Sequence, residues 1–151
     1  MNKTKDIVYV TFMGLIMFLS GSILLGGIRF VINLIFPIDF ISILIYFMLV
    51  RFLTKLVMRG VNTRCLYYSI YLPTLSVLMY LLVGPIYTFI LLLVAGNSFF
   101  SSLAYTFISY IDSFISGFTG EPLQIMLSIF YLFIEILVLS LGVRDSYRLT
   151  K

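Results

Sequence analysis

Glu135 and Arg51 are the two charged side chains that fall furthest inside long apolar stretches of this 151-residue chain. A carboxylate or guanidinium within a bilayer costs roughly 3 kcal/mol on insertion scales and marks a functional position by default. Counting about 1.5 Å per helical residue, Glu135 lies roughly 12 Å from the end of the apolar segment 123–143. By the same count Arg51 lies roughly 10 Å from the end of segment 40–58. The matched depths predict an interhelical Arg51–Glu135 ion pair. It would act either as a structural pin between two helices or as a proton or cation site.

A second polar spot is predicted where Arg29 and Asn33 stand at helical spacing, with Asp39 close in sequence and Asp112 a candidate neighbour in space. Its chemistry would be contact with lipid phosphate, or an ion pair clamping a later helix onto the first. Lys55, Arg59, Arg64, Arg144 and Arg148 follow the ends of apolar segments. Cations so placed anchor anionic headgroups at about 1 kcal/mol each. Arg51, Lys55 and Arg59 recur at steps of four, but only Arg51 lies at depth, so a voltage sensor is not expected.

The absences are equally directive. There is no histidine and only one cysteine, Cys65, which removes the usual general base and any thiolate cluster. The flanks of Asp39 and Asp112 match no catalytic motif. No enzyme activity, cofactor or metal is expected. The net charge of +4 is spread over helix ends, so it reads as a topology signal and not as a nucleic-acid surface.

The elements that must position these residues follow from composition. The chain is 62% hydrophobic and 11% charged, against about 45–50% and about 25% in a soluble domain. A water-soluble fold of this size could not bury so much apolar surface. The expected class is an all-α integral membrane helical bundle forming one domain. About twenty apolar residues cross a bilayer, and four segments qualify: residues 7–35, 40–58, 66–94 and 123–143. Gly84 and Pro85 interrupt the third and predict a bend there. Gly14, Gly21, Ser22 and Gly26 give the first span small residues for close helix approach.

Residues 99–118 differ. Phe99, Phe100, Leu103, Phe107 and Ile111 follow a helical period opposite Ser101, Ser102, Tyr105, Ser109 and Asp112, which predicts an amphipathic helix. Placing every basic cluster on one side of the membrane requires an even number of crossings. Four spans plus an interfacial or re-entrant helix over 99–118 satisfy this, with both termini cytoplasmic; five spans are the alternative. The implied partners are the lipid bilayer and either another membrane protein or further copies of this chain. With so little outside the spans, the expected role is that of a non-enzymatic subunit or accessory of a plasma-membrane complex, in transport or secretion. The competing expectation is a self-assembling holin-like or channel-like pore lined by the serine face. The abundance of phenylalanine, isoleucine and tyrosine fits an AT-rich, bacterial genome.

Overall fold

The computed structural model describes residues 3–35, 40–61, 65–119 and 122–150. They form five helices: α1 (Lys3–Ile35), α2 (Phe40–Met58), α3 (Leu66–Val94), α4 (Phe99–Thr119) and α5 (Pro122–Thr150). Four of them, all but α4, are long and apolar enough to cross a membrane. Boundaries of α2 and α3 coincide with the sequence expectation. Helix α5 runs seven residues past the expected end at 143 (150 − 143), which matters below. Pro73 and Pro85 lie inside α3, which stays helical through both.

The surface identifies the solvent. Phe12, Leu34, Leu66, Phe100 and Met126 are each more than 65% exposed, while Ser22, Thr54, Ser76, Ser102, Thr106, Ser146 and Thr150 are almost fully buried. Large apolar side chains point out and small hydroxyl side chains point in. Water would reverse that order; lipid permits it, because tails are as apolar as leucine and helices associate by close packing of small residues. The protein is a membrane protein of helical-bundle architecture.

Helix α1 packs chiefly on α3, and α5 packs on α3 and α2, while α1 also contacts α2. Among the described residues α1 and α5 do not pack on each other, so they occupy opposite corners. Contacts fix direction. Tyr9 lies over Gly60, and Tyr71 donates to the Thr11 carbonyl at 2.9 Å. Thr54 and Ser146 hydroxyls meet at 3.2 Å. The start of α1, the end of α2, the start of α3 and the end of α5 therefore share one end, which carries Lys3, Lys5, Lys55, Arg59, Arg144 and Arg148. It is called the basic end below.

Glycine sets the α1 packing. A β-carbon at Gly21 would stand 2.7 Å from Leu53 Cδ1 and 2.9 Å from Met79 Sδ, and one at Gly26 would stand 2.5 Å from Ile86 Cγ2. On α5, Gly142 leaves a notch for Tyr46, which is fully buried and donates its hydroxyl to the Ser76 carbonyl at 3.2 Å. One phenol thus joins α2, α3 and α5.

The α3–α4 reversal is a glycine-terminated helix end. Gly96 takes φ +89°, its N–H donates to Leu93 O at 3.0 Å, and Asn97 N–H donates to Leu92 O at 3.2 Å. This is the Schellman arrangement, in which a left-handed residue satisfies the last carbonyls. Ser98 then caps α4 by accepting from Ser101 N–H at 3.3 Å, satisfying one of the free N–H groups at a helix start. Phe99 packs edge-on to Phe89 at 5.3 Å and Tyr110 sits against Gly84, so α4 folds back along α3.

Adjacent glycines give a controlled test. Gly26→Ala drives a β-carbon into Ile86, a branched side chain stiff at χ1. It should cost roughly 1–3 kcal/mol as an overpacking change. Gly27 has nothing within 4 Å of its β-position, so Gly27→Ala should be neutral or stabilising. Thermal unfolding of both variants in mild detergent checks the contrast, and equal melting temperatures would refute this packing of α1 on α3.

Candidate functional site

The charged residues within the bundle form two layers. Near the basic end, Arg51 Nε on α2 lies 3.7 Å from Asp145 Oδ2 on α5, beside the buried Thr54–Ser146 hydroxyl pair. Arg51 is 64% exposed and Asp145 30%, so the pair lies on the flank of the α2–α5 seam and not in its core. Toward the opposite end, the Arg29 guanidinium on α1 stands over the Tyr87 ring of α3, 5.5 Å from its centroid. Glu135 stands in the same half of the bundle, exposed on α5. Phe30 packs tilted on the same Tyr87 ring at 6.4 Å.

The expected Arg51–Glu135 pair is replaced by Arg51–Asp145. The reason is the length of α5. Depth was counted from residue 143, whereas the helix continues to Thr150. Thr54 faces Ser146, an offset of 92 (146 − 54), which places Arg51 level with residue 143 and puts Glu135 level with residue 43. Arg51 and Glu135 are about eight residues apart along the bundle, roughly 12 Å at helical rise.

The second polar spot is rearranged as well. Arg29 and Asn33 are half-buried on one face of α1. Asp39 lies outside the described residues. Asp112 is exposed on α4, and among the described residues α4 packs on α3 and α5 without touching α1. An ion-pair clamp between Arg29 and Asp112 is thus ruled out by placement. Lys55, Arg59, Arg144 and Arg148 are exposed at the basic end, as headgroup anchors require, and Arg64 lies outside the described residues. Gly84 has a second use: its missing side chain seats the Tyr110 ring, with Pro85 half-buried beside it.

Asp145, Tyr87 and Tyr46 are the contributors that sequence reasoning passed over. Asp145 was readable in principle. The spacing Val138, Gly142, Ser146 continues the inward face of α5 beyond 143, and that continuation carries Asp145 to the seam. Nothing local marks Tyr87, because a tyrosine inside a span signals no particular partner. Chemically, the bundle holds opposite charges across the α2–α5 seam and a cation over an aromatic ring between α1 and α3. Among the described residues no three His, Cys, Asp or Glu side chains come together.

Arg51→Gln and Asp145→Asn should each lower stability, and the double variant should lose less than their sum, by roughly 0.5–1 kcal/mol for a partly exposed pair. Arg51→Gln and Glu135→Gln should be additive. Unfolding midpoints in detergent for the two cycles check this; coupling in the second cycle and none in the first would overturn the pairing.

No protein-family model matches the chain, and neither a curated protein nor a solved structure matches it.

Proposed function

We propose that this chain is a non-enzymatic subunit or accessory of a membrane complex serving transport or secretion. The plasma membrane of a bacterium, with both termini cytoplasmic, is the setting that best fits the composition and the basic end, since cations stay on the cytoplasmic side.

One observation carries the reading: α4 and the first half of α5 use little of their surface within their own bundle. Phe100 is 81% exposed, Phe107 62%, Leu123 70%, Met126 71% and Phe130 61%. Among the described side chains of α4 the buried ones are small, Ser102 and Thr106. The aromatic face is left for another helix to cover. Nearly all described residues are helical, so work is done within the bilayer or through a partner.

The alternative, a holin-like or channel-like pore, draws its lining from the serine face of α4. On that face Ser102 is fully buried against the bundle, while Tyr105, Ser109 and Asp112 are exposed alongside Phe99, Phe107 and Ile111. Copies assembled through α4 would present aromatic rings among the hydroxyls, which disfavours a continuous wet pore.

A photo-crosslinking residue at Phe107 should capture a different membrane protein in cells, whereas the same residue at Phe12, equally exposed on α1, should not. Adducts at Phe107 consisting of a second copy of this chain, together with ion flux in liposomes holding this protein alone, would favour the pore instead.

A further inference from the structure

Along α5, Ser128, Tyr131, Glu135, Val138, Gly142 and Asp145 recur at alternating steps of three and four. That period marks one helix face and, in a helix pair, the seam that meets the partner. The second half of this seam is filled by α2. Val138 is 5% exposed, Gly142 receives the Tyr46 ring, and Asp145 meets Arg51. The first half is uncovered. Tyr131 is 65% exposed, and Glu135 is exposed as well. The length of α2 explains the break. In the Thr54–Ser146 register, Phe40 at the start of α2 stands level with residue 132 (40 + 92). Helix α5 begins ten residues earlier (132 − 122), about 15 Å further along. Among the described residues α1 does not pack on α5 either.

Glu135 is the residue that lipid alone cannot accommodate there. The apolar stretch of α5 runs from Ile125 to Thr150, so Glu135 lies roughly 15 Å from one end and roughly 22 Å from the other at helical rise. Among the described residues it makes no hydrogen bond or ion pair. A carboxylate at such depth is costly against hydrocarbon and is found facing protein or a wet cavity. We propose that the uncovered half of the α5 seam docks a transmembrane helix of another protein, which carries a lysine or arginine at the level of Glu135. This rests on the subunit reading above and names the chemistry of the contact. The docked helix extends the line that α2 begins, and its cation meets Glu135 as Arg51 meets Asp145 lower on the same seam. A second copy of this chain fits poorly. Of the described lysines and arginines all but Arg29 stand at or near the basic end, and Arg29 is half-buried over the Tyr87 ring. Two copies joined through this seam would set carboxylate against carboxylate.

The test uses the purified protein in lipid vesicles, with a donor dye on its single cysteine, Cys65. The probe is an acceptor-labelled synthetic leucine–alanine transmembrane helix with one lysine at its centre, compared with the same helix bearing leucine there. Energy transfer should show wild type binding the lysine helix roughly tenfold more tightly than the leucine helix, the scale of one interhelical polar contact in a bilayer. Glu135→Gln should abolish the preference. The double variant Glu135→Gln, Ile136→Glu keeps the charge but moves it off the seam, to a position that is 56% exposed, and should not restore it. No preference in wild type, an unchanged preference in Glu135→Gln, or full recovery in the double variant overturns the proposal. So does self-association of the protein alone that Glu135→Gln removes, which would give the seam to a second copy. Failed capture at Phe107 with lysine-helix binding intact would remove the subunit reading and leave the seam chemistry standing; the reverse pattern would remove only the seam.

Discussion

Every feature of this bundle follows from lipid being its solvent. Without water, no free energy is gained by hiding leucine, so the helices are held by how closely their backbones approach and by hydroxyls that find partners between them. That is why Gly21 and Gly26 face the interior of α1 and why the buried polar set is made of serines and threonines. It is also why one tyrosine, Tyr46, threads past Gly142 to reach the Ser76 carbonyl. A backbone that spans the bilayer must satisfy its own N–H and C=O groups. The chain does so with continuous helices, and it ends α3 with the Gly96 reversal that returns α4 along it.

Charge then divides the bundle into two zones. At the basic end, Arg51 and Asp145 face each other on the α2–α5 flank, and the remaining cations stand at the rim. The zone between is closed by Phe18, Leu25, Met79, Val83 and Val138, all nearly fully buried. Beyond it Arg29 stands over Tyr87, and Glu135 is exposed on α5 in the same half. Asp145 on α5 faces a cation from α2, so this pair acts across a seam and not along a single helix. A partly exposed ion pair adds little net stability, which suits a role in setting how α5 sits beside α2.

Much of this was legible in the sequence. The four spans, the amphipathic helix and the basic clusters follow from hydrophobic run length, helical period and the position of lysine and arginine, all local properties. The limits of α2 and α3 were readable because Met58 and Val94 precede strong breaks in character. The end of α5 was not, because Arg144 looks like the start of a tail although the face Val138, Gly142, Ser146 continues through it. That single misplacement moved Arg51 from Asp145 to Glu135. The orientation of α4 was also hidden. Its amphipathic pattern is the same whether the serine face meets water or the protein, and only the contacts of Ser102, Thr106 and Tyr110 with the bundle decide. Interhelical geometry of this kind depends on residues far apart in the chain, which no local pattern encodes.

The central claim is that four helices cross the membrane with all basic clusters at one face. Single cysteines at Lys5, Arg59, Asn97 and Arg148, introduced into a Cys65→Ser background, can be probed in sealed vesicles with a membrane-impermeant thiol reagent. The account predicts that positions 5, 59 and 148 react from the same side and position 97 from the other. Labelling of positions 5 and 148 from opposite sides would contradict it.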